Sequence, residues 1–373
     1  MKIVFLLTHI PDPRINKRIG VAKSLGEVVV ICVRRASQNI WEPVHNDIVH
    51  EILNIDLPAS KQIVRRIIIS SKYKRIASDL LDKYKPNIIY TEGLDSLSIA
   101  TKYKRKSGCK LIYEVADLRE SFIEAPISLS SKFLTYLIKN KEANLFKYVD
   151  NLAITSEKFY DIHYHHLISK DKVTFLPNIP DEEPFKHFVR KTGGIFTIGF
   201  IGGIRYLKQM KMLVDAAEVV GCNVLFAGAG GTNDDYKQIT EYCQGKQYVT
   251  FTGRYSYNAD IAKLYGMVDC VYAVYDADNP NVRIALPNKL YESVQCNLPI
   301  IVAKGTYLSE VVEEWGVGIS VSHNTTNDLV KGLRRLMSDT QTYSSIMNDC
   351  QAKECEISSE KYNADLKKIL YVK

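Results

Sequence analysis

Two short stretches in the second half of the chain hold residue types whose spacing could do chemistry. In Gly202-Gly203-Ile204-Arg205-Tyr206-Leu207-Lys208 the paired glycines let backbone N–H groups approach a phosphate. Arg205 and Lys208, three residues apart, can reach one anion as the chain enters a helix. The second stretch is Asn281 to Pro299, NVRIALPNKLYESVQCNLP, which reads as a strand exit followed by a helix that Pro287 starts without losing a hydrogen bond. Asn288, Lys289 and Glu292 fall in its first turns. A helix N-terminus offers free N–H groups and partial positive charge to phosphate, and a carboxylate one turn in can accept hydrogen bonds from two vicinal hydroxyls. A sugar nucleotide carries both groups. Taken singly, each stretch also fits a plain amphipathic helix with its polar side in water.

These residues need a frame to bring them together, and the apolar pattern supplies one. Lys2 to Leu7, Val28 to Val33, Asn87 to Thr91, Lys110 to Val115, Asn151 to Ser156 and Lys172 to Leu176 read as short buried strands separated by helical stretches. The rhythm restarts with Phe196 to Ile201, Asn223 to Ala227, Tyr248 to Thr252, Cys270 to Val274 and Pro299 to Ala303. Strand, helix, strand repeats of this length are βαβ units with parallel strands, and ligands bind beyond the strand ends. The loop after the first strand lacks GxGxxG and carries Asp12, Pro13 and Arg14 instead. Glu92 and Asp95 follow one later strand, and Glu114, Asp117, Arg119 and Glu120 cluster after another.

The pattern predicts two doubly wound α/β domains facing across a cleft. The first covers residues 1–180, the proline- and glycine-rich 181–194 is a linker, the second covers 195–355, and a final helix at about 356–373 returns to the first. A length of 373 residues with 46% hydrophobic and 24% charged residues suits two cores and excludes global disorder. Eight cysteines without a CxxC pair or zinc spacing read as reduced thiols, so no metal site is expected from them. His163, His165 and His166 lack a supporting carboxylate or cysteine and read as solvated helix residues.

The opening MKIVFLLTHIP is too short in its apolar run for a signal segment, and no stretch approaches a membrane span. A cytoplasmic chain, peripheral on the inner face of the cell membrane, is therefore expected. A net charge of +7 permits anionic partners without choosing among them. Two basic amphipathic stretches narrow the choice to an anionic membrane surface. Residues 61–85 place Lys61, Arg65, Arg66, Lys72, Lys74 and Arg75 beside Ile69, Tyr73, Ile76 and Leu80. Residues 131–147 place Lys132, Lys139, Lys141 and Lys147 beside Phe133, Leu134, Leu137 and Phe146. No nucleic-acid partner is indicated.

Several motifs, in order along nearly the whole chain, resemble glycosyltransferase family 4, the group 1 enzymes of bacterial surface polysaccharide synthesis with the GT-B fold. They are Asp12-Pro13-Arg14, YEVADLRE at 113–120, Pro177-Asn178, FIGGIRYLK, FAGAG with Phe251-Thr252-Gly253, and PNKLYESVQCNLPIIV. The resemblance implies a retaining, metal-independent transferase that moves a hexose from a nucleotide sugar, UDP-linked rather than GDP-linked, to a lipid-linked or growing surface glycan. It implies that Arg205 and Lys208 neutralise the leaving diphosphate, that Glu292 holds the ribose, and that Asn288 and Lys289 lie near phosphate and sugar. Gly253 and Arg254 would lie by the base, and Asn281 near the transferred sugar. Asp117 and Arg119 would face the acceptor and donor sugar, with Asp12 and Arg14 on the acceptor side.

No cofactor beyond the co-substrate is implied, and no DXD-type carboxylate pair is expected near Arg205 and Lys208. The chain departs from the family pattern at Ala116, where many members carry a histidine, and at Ile284, where many carry the first of two spaced glutamates. Two other readings stay open. Glu114, Asp117 and Glu120 could serve a non-hydrolysing sugar-nucleotide epimerase, and Ala116 could mark a non-catalytic sugar-nucleotide-binding subunit of a transferase complex.

Overall fold

A computed structural model describes residues 1–34, 42–55, 63–118, 129–230, 234–357 and 359–371. Two compact units divide the chain, Met1–Pro177 with Glu360–Lys373, and Asn178–Ser359.

The first unit is built on a seven-stranded sheet, β1 (Lys2–Leu6), β2 (Glu27–Arg34), β3 (Val49–Asn54), β4 (Ile88–Glu92), β5 (Lys110–Val115), β6 (Asn151–Ile154) and β7 (Val173–Phe175). The order is β3-β2-β1-β4-β5-β6-β7, and every pairing is parallel. A parallel sheet with helices on both faces must be apolar on both faces. Accordingly Ile3 to Leu6, Val28 to Val33 and Ile88 to Tyr90 are all buried. The chain runs outward from β1 to β3 and then returns to β4 on the other side of β1, so the switch point of the sheet lies between the ends of β1 and β4. The helix Ser359–Ile369 closes this unit: Leu366 and Leu370 join its core, and the rings of Tyr362 and Phe175 meet edge to face at 5.9 Å.

The second unit repeats the plan with β8 (Thr197–Ile201), β9 (Asn223–Ala227), β10 (Val249–Gly253), β11 (Cys270–Ala273), β12 (Ile300–Ala303) and β13 (Gly318–Val321). These pair in parallel in the order β10-β9-β8-β11-β12-β13, with the switch point between β8 and β11. The loops that follow β8 and β11 carry the Gly202 and Asn281 stretches.

The structure departs from the sequence expectations in four places. β3 and β13 are additional edge strands. Asp12-Pro13-Arg14 is not a loop but the start of the helix Pro13–Lys23, with the Asp12 side chain accepting from the Ile15 N–H at 2.8 Å. An N-cap aspartate followed by proline at the first helical position accounts for that start. Residues 181–194 are not a free linker and pack on the second unit. There Phe185 meets Tyr265 at 6.0 Å, the Arg190 guanidinium lies 5.3 Å from the Tyr343 ring centroid, and Lys191 pairs with Asp269 at 3.1 Å. Asn281 lies in a separate short helix, Pro280–Ile284, and Pro287 is the N-cap rather than the first residue of the helix Asn288–Gln295.

The basic stretches fold as helices, Ile63–Tyr84 and Leu129–Phe146. In the first, Tyr73, Ala77 and Leu81 are fully buried, and the Tyr73 hydroxyl donates to the Leu7 carbonyl at 3.1 Å. The apolar face of its described part therefore belongs to the core. The second leaves Phe133, Tyr136 and Leu137 exposed. Lys61 and the side chains of Arg65, Arg66 and Leu134 lie outside the described residues. Among the described residues, no helix is long and apolar enough to cross a membrane. The cysteines are free thiols, seven buried and Cys355 exposed.

Candidate functional site

At the switch point of the second unit the backbone closes tightly. Gly202 has φ 141°, and its N–H donates to the Ala227 carbonyl at 2.8 Å. A side chain at Gly228 would meet the Gly202 carbonyl oxygen at 2.0 Å, so this approach of two strand ends requires glycine. Lys289 comes from the first turn of the helix Asn288–Gln295, and its Nζ would lie 2.8 Å from a Cβ at Gly202. The same ammonium is held 4.6 Å from the Phe200 ring centroid and 5.6 Å from that of Tyr275. Lysine thus occupies the space beside the Gly202 backbone, in partial aromatic company and without a carboxylate partner among the described residues.

The helix Leu207–Val220 enters the same place. Its N-cap, Tyr206, adopts a left-handed conformation (φ 63°, ψ 60°) and makes no side-chain cap, and Pro287 likewise leaves its helix without one. Two helix N-termini therefore present backbone N–H groups that no side chain satisfies. A non-glycine residue in the left-handed region is strained, and here the strain sits between a glycine loop and a helix start. The Tyr206 ring packs 5.6 Å from that of Tyr275. Arg205 is exposed and has no ion pair among the described residues, and Lys208 donates to Asn324 Oδ1.

One turn into its helix, Glu292 is 4% exposed. Its two oxygens accept from the hydroxyls of Tyr257 at 2.7 Å and Tyr265 at 2.6 Å. Burial raises both phenols above their ordinary value, and the adjacent Glu292 charge raises them further, so they remain donors. A carboxylate has about four acceptor positions. The two tyrosine hydroxyls use two of them. Neither tyrosine stands out in the sequence, although their spacing, eight residues apart along Tyr257–Gly266, places them near one helix face. Asn288 is positioned by Asn178, whose amide donates to it at 2.7 Å, which gives the Pro177-Asn178 motif a physical role.

The remaining residues expected on the donor side are spread along the same strand ends. Gly253 takes φ 72° and its carbonyl accepts from the Gly228 N–H at 2.8 Å. Arg254 beside it is exposed. Asn281 lies in the first turn of its helix, capped by the Asn279 side chain, and Ile284 is buried.

One expectation is overturned. Asp276 and Asp278 form a D-x-D pair with His323, their ligand atoms all within 4.8 Å of one another. The His323 imidazole lies 3.3 Å from Asp276 and contacts Asn324 at 2.9 Å, the residue that also holds Lys208. A carboxylate pair is therefore linked to Lys208 through His323 and Asn324; the run Asp276-Ala277-Asp278 is plain in the sequence, but its histidine lies 45 residues further on. The set can hold the imidazole as a hydrogen-bonded clasp and has donors of a kind that suit a divalent cation.

In the first unit the strand ends carry a buried charge network. Arg14 lies 2.7 Å from Glu92, 2.6 Å from Glu114 and 3.4 Å from Asp12. Arg18 lies 3.6 Å from Glu114 and donates to the Leu176 carbonyl at 2.6 Å, and the Tyr90 hydroxyl donates to Glu114 at 2.6 Å. Burial is the largest influence on Glu114 and would raise its carboxyl, but Arg14, Arg18 and the Tyr90 hydroxyl together hold it below its ordinary value. Asp12 is held low in the same way, against burial, by Arg14 and the Ile15 N–H. Arg14, placed on the acceptor side from the sequence, is thus buried and engaged by three carboxylates. Asp117 is exposed at the end of β5, and Arg119 lies outside the described residues.

With this geometry in view, the likenesses to known proteins fall into place. Residues 181–351, nearly the whole second unit, match the family model of glycosyl transferases group 1. The chain is 20% identical over 336 residues to the succinoglycan biosynthesis protein ExoL of Rhizobium meliloti, covering 86% of this chain and 80% of that protein. Among solved structures it is similar to Anabaena HepE in complex with UDP, at 16% identity with a TM-score of 0.71 over 99% of both chains. It is also similar to sucrose-phosphate synthase from Thermosynechococcus elongatus, at 12% identity with a TM-score of 0.76 over 99% of this chain and 98% of that one. The fold expected from the sequence, GT-B with two Rossmann-like parallel-sheet domains, is the one found.

Proposed function

We propose that this chain is a retaining glycosyltransferase. In this reading it moves a sugar from a nucleoside-diphosphate donor, UDP-linked first among them, to a lipid-linked or growing surface glycan. The observation that carries the reading is the Lys289 ammonium set against the Gly202 backbone, between two uncapped helix N-termini, with Glu292 one turn beyond it. A diphosphate fits the first part and a ribose diol the second. The group 1 match over residues 181–351 supports the same class, and HepE, a structure of the same fold, was solved with UDP.

Within that reading each residue has a task. Lys289, Arg205 and the N–H groups at Leu207 and Asn288 stabilise the charge that grows on the diphosphate as the glycosidic bond breaks. Preorganised stabilisation of this kind usually contributes more to catalysis than any other single effect. Lys208, held on Asn324, adds charge at the rim. Glu292, fixed by Tyr257 and Tyr265, orients the nucleoside, and Gly253 and Arg254 lie where the base would extend. In this reading side chains and helix ends balance the diphosphate charge, so transfer needs no cation at Asp276, Asp278 and His323. The donor phosphate itself assists removal of the acceptor proton on the same face, which gives retention without a protein nucleophile. Asp117 and Arg119 act toward the acceptor. The likeness to ExoL, a succinoglycan biosynthesis protein, supports a glycan acceptor, and the exposed Phe133, Tyr136 and Leu137 beside Lys132 and Lys139 support a peripheral location.

A melting-temperature screen of nucleotide sugars followed by transfer to a membrane acceptor fraction tests this. A ligand at a hundred times its dissociation constant stabilises by about 2.7 kcal/mol, so the matching donor should shift the transition by several degrees. Lys289→Ala should abolish both the shift and the transfer. Donor turnover with no acceptor present would instead establish an epimerase. Binding without turnover in any acceptor mixture would establish a non-catalytic subunit.

A further inference from the structure

In the first unit the helix Leu94–Ser107 and the end of the helix Leu129–Phe146 border an open surface pocket of about 390 Å3, with Lys102, Arg105, Asn144 and Lys147 exposed along it. Ser98, Thr101, Lys102 and Arg105 form one wall, and Asn144 and Lys147 stand on the other. The first four recur at i, i+3, i+4 and i+7, which is one face of a helix. Among the described residues no carboxylate lines the pocket, and its volume falls in the range of small-ligand sites.

The charges around it divide into two sets. Lys104 and Lys106 of the same helix are committed to Asp150 and Asp82. Lys102, Arg105 and Lys147 have no carboxylate partner among the described residues, and the Arg105 guanidinium rests 5.7 Å from the Tyr148 ring centroid. Thr101 is 3% exposed, and its hydroxyl makes no hydrogen bond. A buried hydroxyl without a partner is costly and calls for one. Cations near helix C-termini also complement the helix dipole, but that accounts neither for the orphaned Thr101 hydroxyl nor for a lining free of carboxylates.

We propose that this pocket binds a phosphate-bearing anion, a phosphate monoester or pyrophosphate group, through Lys102, Arg105 and Lys147, with the Thr101 hydroxyl donating a hydrogen bond. The site belongs to the first unit and is independent of the nucleotide-sugar reading. Its ligand is either a soluble phosphorylated molecule or a phosphate-bearing lipid headgroup.

The test uses the full chain carrying Arg205→Ala and Lys289→Ala, so that anion binding in the second unit does not contribute, and follows the melting temperature against added pyrophosphate. A dose-dependent rise is expected in that background. Arg105→Gln with Lys147→Gln should weaken the response at least about tenfold, since charge-assisted bonds are the strong ones. Thr101→Val, which keeps the shape, should weaken it several-fold. Lys74→Gln with Arg75→Gln, an equal loss of charge elsewhere, should leave it unchanged. Absence of any rise would overturn the proposal, as would an equal loss in the Lys74 and Arg75 control or an unaltered response with Thr101→Val. Vesicles of phosphatidylcholine with and without phosphatidic acid then separate the sources. Phosphatidic-acid binding removed by the Arg105 and Lys147 pair of changes identifies a headgroup, and pyrophosphate binding with no vesicle response to those changes identifies a soluble anion.

Discussion

Glu292 shows why a candidate site residue is readable in a sequence while its supports are not. A glutamate one turn inside a helix that begins Pro-Asn-Lys stands out because its spacing alone places it near a helix N-terminus. Tyr257 and Tyr265, which complete it, lie on another helix and are brought to it only by the packing of Tyr257–Gly266 against the sheet. The arrangement makes a sharp prediction. If the two free acceptor positions hold a ribose diol, Glu292→Gln replaces charge-assisted bonds by neutral ones, a loss of about 1.5–3 kcal/mol. Donor KM should rise by about tenfold or more while kcat changes little, because ribose contacts are the same in ground and transition states. Steady-state kinetics with the matching donor reads this directly. An unchanged KM would remove Glu292 from the nucleoside side.

At the scale of elements, the strands that the sequence pattern missed are both edges. β3 is half-buried along most of its length, and β13 is a four-residue strand opening on glycine, so neither shows the continuous apolar run that marks a central parallel strand. The opposite happens at Asp12-Pro13-Arg14, where chemistry-bearing residues look like a ligand loop and instead start a helix. Arg14 faces inward from the first turn of Pro13–Lys23 and joins β4 and β5 through Glu92 and Glu114. Removing one member of a buried ion cluster leaves the others uncompensated, so Glu114→Ala should cost about 3–5 kcal/mol, far more than the ~1 kcal/mol typical of losing the Asp12 cap. Urea denaturation would rank the two.

The pH dependence of that network has a definite sign. Asp12 and Glu114 are both held below their ordinary values of 3.8 and 4.5 in the folded chain. Each therefore contributes stability that is fully present above its ordinary value and is lost as the pH falls through the depressed one. Acid titration followed by circular dichroism should show unfolding that begins as the pH drops below about 4.5, and Glu114→Gln should flatten it.

For the molecule as a whole, the double βαβ rhythm was legible because parallel strands buried on both faces leave a strong apolar signal, and that signal stops and restarts once. Where one unit ends was less legible. Proline, glycine and charge in residues 181–194 resemble a linker, yet Phe185, Arg190 and Lys191 find partners far along the chain, which composition does not reveal. The same limit governs the two basic helices, which look alike in sequence and differ once folded. Among its described side chains, Ile63–Tyr84 has put Tyr73, Ala77 and Leu81 into the core and offers a membrane charge, worth about 1 kcal/mol per basic residue near an anionic surface and screened by salt. Leu129–Phe146 keeps Phe133 63% exposed and Leu137 46% exposed, so it can insert apolar surface as well. Vesicle co-sedimentation should therefore separate them. Lys74→Glu with Arg75→Glu should weaken binding to anionic vesicles at low salt and matter progressively less as salt is raised. Phe133→Ser with Leu137→Ser should remove binding that survives high salt, by at least about tenfold given ~1–2 kcal/mol for each apolar side chain. Binding insensitive to both pairs of changes would mean that neither helix is the contact surface, and the peripheral location would have to rest on some other part of the chain.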